Sequence, residues 1–426
     1  MLKFKGTLII SGDKSISHRA LILSAMSTGK TKITNLLESD DVMRTLNILK
    51  ELGIKITKSQ NCWLVYGNGT NGFIEPDRSL DCGNSGTTAR LMIGAVSSNP
   101  INCTFVGDRS LSKRSMSRVT KHLVKMGSVV NLTNKDYLPL LISGNEKLLP
   151  MSHEIQKASA QIKSALILAA LNIQGKTKIR ENIPTRDHTE RLLKYLGIKF
   201  KIIKKINKAK VIELNGPYEI KSKNIEVAGD PSSASFFIVG ALILPKSKIT
   251  LKNVMINPSR IAFIKILKKM GGKINIIKTR KVSGENVGNI TVEYSNLKGI
   301  NIPSSQSAFL IDEYPILSVA ASQAKGMTSM KGLDELRYKE SDRINSIVYN
   351  FKKIGINIKE ENNNLFIVGK KLNIKKNIKV KSFSDHRIAM SLSILNILYN
   401  KKLKIDNKKC INISYPDFEK HLNNLL

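Results

Sequence analysis

Cations and hydroxyl groups gather in five short, densely polar segments of this 426-residue sequence. These segments read GDKSISHR from Gly12, GNSGTTAR from Gly83, SAQIKS from Ser159, RYKESDR from Arg337 and SDHRIAM from Ser384. Arginine binds carboxylate and phosphate groups with two parallel hydrogen bonds, while lysine supplies a compact charge. Each segment opens or precedes a helix-like run, and the free N–H groups of a helix N-terminus also favour anions. The sequence therefore predicts a cationic site for small anionic substrates.

Two acidic positions interrupt this cationic pattern. Asp312 and Glu313 open one helix-like run, and Glu340 stands beside Lys339. A carboxylate within hydrogen-bond reach of a hydroxyl group acts as a general base, and a protonated carboxyl group acts as a general acid. These residue types therefore favour proton transfer between bound polyanions.

The cysteines do not form a metal-binding or disulfide pattern. Cys62, Cys82, Cys103 and Cys410 are scattered along the chain without Cys-x-x-Cys spacing. Such spacing is the usual sign of a zinc site, and a disulfide framework is typical of small secreted domains. We therefore expect no metal and no cofactor.

The segment Gly29–Thr31 (Gly-Lys-Thr) and its twin at Gly175 resemble the tail of a nucleotide-binding loop. That motif needs a glycine five positions earlier, between a strand and a helix. Ser24 and Ala170 occupy those positions, and a helix-like run precedes each segment. The sequence therefore predicts a turn that closes a helix rather than a nucleotide site.

The net charge of +36 raises the possibility of a nucleic-acid partner. Lysine is plentiful along the whole chain, however, and aromatic residues, on which bases stack, make up only 5% of it. Small anions are the favoured partners, and a basic nucleic-acid-binding repeat protein stays as an alternative. Apolar runs are too short for a membrane span, and the N-terminus lacks a signal peptide, so we expect a cytoplasmic protein.

A repeat of 70 to 80 residues runs through the chain. Each copy contains an apolar, helix-length run opened by Ser or Asp, then a turn and a strand-like segment. The six runs begin at Ser15, Ser85, Ser159, Ser232, Asp312 and Asp385. A second, amphipathic helix follows each run, and five of these helices end in lysine and then glycine, a C-terminal signal. Six mixed helix–strand repeats predict an α/β fold.

Three repeats per domain divide the chain into two domains. We expect residues 1–12 plus 230–426 to form domain one and residues 13–229 to form domain two. The two crossings would make a two-strand hinge, and the domains would close as a clamshell. The sixth repeat lacks a strand after its second helix, and the N-terminal strand KFKGTLII is predicted to supply it.

Seven motifs, in order along almost the whole chain, resemble those of the 5-enolpyruvylshikimate-3-phosphate synthase family of enolpyruvyl transferases. They are SGDKSISHR (Ser11–Arg19), DCGNSGTTARLM (Asp81–Met92), SAQIKSALILAAL (Ser159–Leu171), GDPSSASFF (Gly229–Phe237), DEYPIL (Asp312–Leu317), RYKESDRI (Arg337–Ile344) and DHRIAM (Asp385–Met390). The resemblance implies a two-domain inside-out α/β barrel with three βαβαββ units per domain. It also implies a monomeric transferase of the shikimate pathway that carries the enolpyruvyl group of phosphoenolpyruvate to shikimate 3-phosphate.

The resemblance also implies roles for individual residues. Shikimate 3-phosphate would be bound by Lys14, Ser15, Arg19, Ser159, Gln161, Asp312 and Lys339. Phosphoenolpyruvate would be bound by Lys14, Gly86, Arg114, Gln161, Arg343 and Arg387. Asp312 would accept a proton, Glu340 would donate one, and Lys14 would assist catalysis. Gly86 implies sensitivity to the inhibitor glyphosate.

A related family, the UDP-N-acetylglucosamine enolpyruvyl transferases, is the nearest alternative. It depends on a reactive cysteine beside an arginine, whereas Arg114 follows SLSK, and Cys103 lies in an apolar segment. Two positions depart from the favoured family. Ser115 stands where proline is frequent, and Ile413 stands where some members have a substrate-binding lysine. We therefore expect a less rigid backbone around Arg114, and one contact to phosphoenolpyruvate that is either missing or supplied by another residue.

Overall fold

A computed structural model describes residues 2–133, 136–205 and 209–426, which divide into two compact units. The first unit comprises Gly12–Val227 and Val282–Glu285. The second unit comprises the chain up to Ser11, Ala228–Lys281 and Asn286–Leu426. Each unit combines helices with mixed sheets, so the predicted α/β class is confirmed.

Strands and helices alternate along both units. The strands are β1 (Lys5–Ile9), β2 (Thr28–Thr34), β3 (Lys55–Ser59), β4 (Cys62–Asn68), β5 (Leu80–Asp81), β6 (Asn102–Val106), β7 (Val129–Thr133), β8 (Tyr137–Ser143), β9 (Ser152–Ile155), β10 (Gly175–Glu181), β11 (Lys201–Lys204), β12 (Lys210–Gly216), β13 (Ile225–Glu226), β14 (Lys248–Met255), β15 (Lys273–Val282), β16 (Glu285–Glu293), β17 (Asn301–Ile302), β18 (Gly326–Met330), β19 (Asn357–Glu361), β20 (Asn364–Gly369), β21 (Ile378–Val380) and β22 (Leu403–Ile405). The helices are α1 (Lys14–Ala25), α2 (Asp40–Glu51), α3 (Gly86–Val96), α4 (Ser117–Met126), α5 (Ala160–Ala170), α6 (His188–Tyr195), α7 (Pro231–Ile243), α8 (Ala262–Lys269), α9 (Ser307–Leu310), α10 (Tyr314–Ser322), α11 (Arg343–Ile354), α12 (His386–Leu398) and α13 (Phe418–Leu425). No helix in the described part of the chain is both long enough and apolar enough to cross a membrane.

Each of the six predicted repeats has a sheet of its own. In the first unit the strand orders are β13-β2-β4-β3, β5-β6-β8-β7 and β11-β12-β10-β9. In the second unit they are β1-β14-β16-β15, β17-β18-β20-β19 and β21-β22. The β6 strand shows the common pattern, because it pairs in parallel with β5 and antiparallel with β8. The first helices α3, α5, α10 and α12 therefore connect two parallel strands of one sheet, whereas α1 and α7 each connect strands of two different sheets, because β1 pairs with β14 and β13 pairs with β2.

The N-terminal strand β1 does not complete the sixth repeat, so that prediction is wrong. It pairs in parallel with β14, from Lys5 opposite Lys248 to Ile9 opposite Lys252, and so completes the repeat of α7. The sixth sheet keeps two described strands, β21 and β22. The helix α13 of the sixth repeat packs against β1. The sequence indicates that the N-terminal strand joins a sheet of another part of the chain. Which of the sheets it joins depends on how the folded chain packs.

The first helices of the repeats form the interior of each unit. Every residue of α7 and of α10 is buried, and α1, α3, α5 and α12 are buried apart from two residues each. In the first unit α3 packs against α5 and α1, and in the second α7, α10 and α12 pack against one another. A helix that is apolar on all sides must be surrounded by protein. The sheets therefore lie outside these helices.

The second helices of the repeats are amphipathic, as predicted. In α8 the apolar residues Phe263 and Leu267 are buried, while lysines lie on the opposite face. The predicted glycine signal is confirmed at α4 and α11, where Gly127 and Gly355 cap the helix with φ angles of 110° and 92°. Residues with a Cβ rarely adopt such angles, so glycine ends these helices with little conformational strain.

The Gly-Lys-Thr segments lie in strands and not in turns, which corrects the prediction. Gly29 is the second residue of β2 and pairs with Gly67 of β4. Gly175 opens β10, and the two glycines have φ angles of 100° and 106°. The chain turns earlier, at Met26 and Ser27 after α1. The backbone enters each strand through a positive φ angle, which favours glycine. A glycine at this place therefore looks like part of a turn when only the sequence is read.

Two histidines of the first unit contact each other edge to face. The ring centroids of His122 in α4 and His153 in β9 are 5.3 Å apart, with an interplanar angle of 83°. Burial lowers the pKa of both imidazoles to about 4, and the nearby Lys125 adds to this effect. Both side chains are therefore neutral in the folded protein near neutral pH.

This histidine pair should make the protein less stable in acid. The unfolded chain binds protons near pH 6.5, so the stabilising contribution is complete above that pH and is lost as the pH falls through about 4. Between pH 7 and pH 4.5 the free energy of unfolding should fall in both the wild type and the His122→Gln/His153→Gln variant. The fall should be smaller in the variant by about 1–2 kcal/mol, after allowing for solvent screening. Urea unfolding at both pH values measures this difference. Parallel losses in the two proteins would contradict it.

Candidate active site

A buried arginine organises the acidic cluster of the second unit. Arg343 is the first residue of α11, and its side chain is 1% exposed. Its Nε lies 2.9 Å from Asp385 Oδ2, and its Nη2 lies 2.6 Å from Glu340 Oε2. Its Nη1 lies 3.5 Å from Asp312 Oδ1. One guanidinium thus brings together three carboxylates from separate segments of the chain.

Electrostatics fix the charges of this cluster. Burial by itself would raise the pKa of Asp385 and is the largest single cause, but the charges of Arg343 and His386 and the hydrogen bond from Arg343 together lower it. Burial opposes the charge of Arg343 too, yet Asp385, Glu340 and Asp312 together raise its pKa. Asp385 also caps α12, because its Oδ1 accepts a hydrogen bond of 2.9 Å from the Arg387 backbone N–H. Helix capping and charge compensation therefore depend on the same carboxylate.

Asp312 and Arg387 meet in this cluster. The Nε of Arg387 lies 3.6 Å from Asp312 Oδ1, and its Nη1 donates a hydrogen bond of 3.1 Å to the Asp312 backbone carbonyl. The Asp312 side chain is 18% exposed, so solvent or a ligand reaches it. Asp312 therefore combines accessibility with two neighbouring cations.

Lys339 follows a 3₁₀ turn, Asp334–Tyr338, and stands beside Glu340. Burial lowers the pKa of its ammonium group, while the nearby Asp312 carboxylate acts in the opposite direction. A bound anion favours the charged form of a lysine and would raise this pKa again. Five of the predicted site residues therefore lie together in the second unit, namely Asp312, Lys339, Glu340, Arg343 and Arg387.

Lys14 opens α1 in the first unit. Asp13 caps this helix by accepting a hydrogen bond of 2.8 Å from the Ile16 N–H. The Lys14 Nζ lies 2.8 Å from Asp41 Oδ2, and the two side chains are 17% and 10% exposed. The carboxylate holds the ammonium group at the helix start, where both remain accessible to a ligand.

Arg19 lies one turn further along α1 and is 4% exposed. Its Nη1 donates a hydrogen bond of 2.8 Å to the Ser15 carbonyl. Its Nε donates to Thr189 Oγ1 at 2.7 Å, and its Nη2 donates to Ser164 Oγ at 2.6 Å. Hydroxyl groups from α5 and α6 therefore fix the orientation of this guanidinium.

Gly86 and Gln161 meet at the starts of α3 and α5. Arg90 links them, because its Nη1 donates a hydrogen bond of 3.0 Å to Gln161 Oε1 and one of 3.3 Å to the Gly86 carbonyl. Gln161 Nε2 in turn donates to Thr87 Oγ1 at 2.9 Å. Arg90 was missing from the predicted binding residues. Its place one turn after Gly86 in GNSGTTAR was the available signal.

Arg114 lies on the other side of Gly86. Its Nη2 donates hydrogen bonds to Asn84 Oδ1 at 2.9 Å and to Ser110 Oγ at 3.0 Å. A Cβ added to Gly86 would lie 3.5 Å from Arg114 Nη1. The Ser115 hydroxyl, at the position where proline was expected, donates to Asp136 Oδ1 at 2.6 Å. A hydrogen bond thus restrains the segment that follows Arg114.

The two remaining predicted positions have simpler surroundings. Ser159 caps α5 by accepting a hydrogen bond of 3.3 Å from the Ile162 N–H. Ile413 ends a 3₁₀ turn, Lys409–Ile413, and packs against the core of the second unit. It therefore supplies no cation, as its residue type implied.

One group of side chains in the described residues offers three possible metal ligands. Atoms of Asp187, His188 and Glu285 lie within 4.8 Å of one another. However, the Nε of Arg191 lies 2.9 Å from Asp187 Oδ2 and 3.6 Å from Glu285 Oε2. His188 Nδ1 and Glu285 Oε1 already share a hydrogen bond of 2.8 Å. A guanidinium therefore compensates the carboxylates where a metal ion would have to bind.

Solved structures define the class of protein to which this fold belongs. The chain has the fold of the enolpyruvyl transferase NikO from Streptomyces tendae, with a TM-score of 0.77, 14% identity, and coverage of 99% of this chain and 95% of that one. It is also similar to the EPSP synthase of Acinetobacter baumannii, with a TM-score of 0.86 and 36% identity over 99% of this chain and 96% of that one. The fold is therefore that of the enolpyruvyl transferases.

Sequence comparison defines the family. A sequence model of EPSP synthase (3-phosphoshikimate 1-carboxyvinyltransferase) matches residues 2–422. Proteins named 3-phosphoshikimate 1-carboxyvinyltransferase from Zymomonas mobilis and Petrotoga mobilis are 41% and 43% identical to the chain. The matches cover 97% and 96% of this chain, and 92% and 94% of those proteins. The chain belongs to the EPSP synthase family.

The double role of Asp385 predicts an unequal response to two similar substitutions. Asp385→Asn keeps an oxygen for the α12 cap but removes the charge opposite buried Arg343, which should lower the free energy of unfolding by about 3–5 kcal/mol. Asp342 is the matched control, because it caps α11 and pairs with the partly exposed Arg337 at 2.8 Å. Asp342→Asn should cost less than about 1 kcal/mol. Urea unfolding measures both values, and equal losses would contradict the role of the Arg343 cluster.

Proposed function

We propose that this protein transfers the carboxyvinyl group of phosphoenolpyruvate to the 5-hydroxyl group of shikimate 3-phosphate, with release of phosphate. The observation that carries the proposal is the cluster in which buried Arg343 gathers Asp312 and Glu340 beside Arg387. It places two candidate proton-transfer groups next to two cations that suit carboxylate and phosphate. Membership of the EPSP synthase family supports the choice of substrates.

The reaction proceeds by addition and then elimination. Asp312 accepts the proton of the 5-hydroxyl group while the oxygen of that hydroxyl group bonds to C2 of phosphoenolpyruvate. Glu340 donates a proton to the methylene carbon of phosphoenolpyruvate. In the elimination the Glu340 carboxylate takes a proton back from the new methyl group, phosphate leaves as the double bond is restored, and the proton held by Asp312 passes to the departing phosphate or to solvent. Only positioning and proton transfer are required, so arginine and lysine contribute by binding the two polyanions.

The proposed binding residues are divided between the two units. In the first unit, Lys14, Ser15, Arg19, Ser159 and Gln161 take shikimate 3-phosphate, and Lys14, Gly86, Arg114 and Gln161 take phosphoenolpyruvate. In the second unit, Asp312 and Lys339 take shikimate 3-phosphate, and Arg343 and Arg387 take phosphoenolpyruvate. The two units act as domains that close on the substrates and exclude water. The protein acts as a cytoplasmic monomer without a cofactor, and it does not depend on a nucleic acid or a membrane.

Cys82 and Cys103 do not fit the related UDP-N-acetylglucosamine chemistry. A reactive cysteine requires an accessible thiol with a lowered pKa. Burial instead raises the pKa of Cys103 to about 12 and raises that of Cys82 further. Neither thiol lies in a setting that activates a nucleophile.

A phosphate-release assay with shikimate 3-phosphate and phosphoenolpyruvate, without added metal, tests the proposal directly. We expect phosphate release only when both substrates are present, with formation of the enolpyruvyl product detected by mass spectrometry. UDP-N-acetylglucosamine in place of shikimate 3-phosphate should give no turnover. Phosphate release from phosphoenolpyruvate with UDP-N-acetylglucosamine, but not with shikimate 3-phosphate, would assign the protein to the other activity.

Replacement of the proposed base should remove turnover without unfolding the protein. Asp312→Asn should lower kcat by at least about 100-fold, because the amide cannot accept the hydroxyl proton. Asp334→Asn is the control, since this acid is exposed in the same unit and accepts a hydrogen bond of 2.8 Å from Asn363. Near-normal kcat in the folded Asp312 variant would remove Asp312 from the role of base.

The surroundings of Gly86 predict how an inhibitor of phosphoenolpyruvate binding behaves. We expect the protein to be sensitive to glyphosate. A Cβ at position 86 would lie 2.7 Å from Arg90 Nη1, so Gly86→Ala must displace that guanidinium. The half-inhibitory glyphosate concentration should rise by about tenfold or more. Ser97→Ala, at the other end of α3, should leave it unchanged, and an identical inhibition curve for Gly86→Ala would contradict this placement.

A further inference from the structure

Lys163 forms a buried ionic triad with two glutamates, at a position to which the proposed chemistry gives no role. Its Nζ lies 2.8 Å from Glu190 Oε1 and 3.0 Å from Glu181 Oε2. The exposed fractions of the side chains are 0% for Lys163, 3% for Glu190 and 1% for Glu181. The three residues belong to α5, α6 and β10, so the triad joins three elements of the first unit.

Stability alone does not account for this arrangement. The triad carries two carboxylates for one ammonium group, and Glu190 Oε2 is buried without a hydrogen-bond partner. Burial and the nearby Glu181 carboxylate raise the pKa of Glu190, although Lys163 acts in the opposite direction. Apolar replacements of such buried ionic groups are often neutral or stabilising. The triad therefore points to a requirement for geometry rather than for stability.

The neighbours of the triad in sequence hold Arg19. Ser164 follows Lys163 in α5, Thr189 precedes Glu190 in α6, and their hydroxyl oxygens lie 2.7 Å apart. Arg19 donates to both hydroxyls, at 2.6 Å and 2.7 Å. The triad thus clamps together the two helices whose side chains orient this guanidinium.

The triad also controls two segments at the same end of the helices. Glu181 Oε1 accepts a hydrogen bond of 3.1 Å from the Thr185 N–H and a second, short one from its hydroxyl. Thr185 lies in the loop between β10 and α6. Lys163 lies within two turns of Ser159 and Gln161, so its fixed side chain sets the rotation of α5 about its axis. The clamp therefore acts on Arg19, on the start of α5 and on this loop together.

We propose that Lys163, Glu181 and Glu190 are positioning residues for the binding of shikimate 3-phosphate, acting through Arg19 and the start of α5. This inference rests on the proposed function, because it takes Arg19, Ser159 and Gln161 as ligands of that substrate. It assigns no contact with the substrate to the triad itself. Loss of the triad affects binding of shikimate 3-phosphate before it affects the chemical step.

The test replaces all three charges at once, so that no unpaired charge stays buried. The Lys163→Met/Glu181→Gln/Glu190→Gln variant should fold, but its KM for shikimate 3-phosphate should rise by about tenfold or more. Its kcat and its KM for phosphoenolpyruvate should stay within about twofold of the wild type. The matched control is Lys178→Met/Glu213→Gln, which removes a partly exposed pair of the same sheet with a distance of 3.3 Å. All kinetic constants of the control should match the wild type.

Calorimetric binding of shikimate 3-phosphate alone separates this inference from the proposed function. Weaker binding by the triple variant than by the wild type supports positioning, and equal binding by the two overturns it. Should the wild type not bind the compound, the proposed function fails instead. Glu190→Gln provides a second variant, because it keeps an acceptor for Lys163. We expect a rise in KM smaller than that of the triple variant, and a larger rise would overturn the clamp.

Discussion

Burial of the first helix of every repeat, apart from at most two residues, is the constraint on which the rest of the structure depends. A helix such as α7, buried along its whole length, has no face on which to carry charge. Its ends are the only places where polar groups meet solvent or ligands. The cap residues Asp13, Ser85, Ser159 and Asp385 stand at such ends, with the binding cations within the next turn. The same burial that stabilises each unit therefore concentrates anion-binding groups at helix starts.

Charges that enter this interior must be compensated within it. Arg343 is compensated by carboxylates, and Arg19 is held by two hydroxyls and a backbone carbonyl. Carboxylates around Arg343 are the groups proposed to move protons, so structural compensation and chemistry share the same atoms. By contrast, the charge of Lys163 is compensated by Glu181 and Glu190, and all three side chains are buried. Because a substrate cannot reach these side chains, the role proposed for Lys163 is one of positioning.

The sequence predicted what depends on local pattern. The caps, the apolar runs and the glycines after α4 and α11 follow from residues close in the chain, and the repeat follows from their spacing. It did not predict the partners of Arg19, because Thr189 and Ser164 are distant in the chain and hydroxyl residues are common. The role of Arg90 was missed for a related reason, since it is defined by its bond to Gln161 on another helix.

The pairing of β1 with β14 also has a consequence for synthesis of the chain. The long segment Gly12–Val227 of the first unit is translated between these two strands, since Lys5 pairs with Lys248. At translation speeds of about 5–20 residues per second, β1 waits roughly 10–50 s for its partner. The first unit can complete its three sheets in that interval, because β13 is made before β14. The order of translation therefore leaves β1 without its native partner strand until β14 of the second unit has been made.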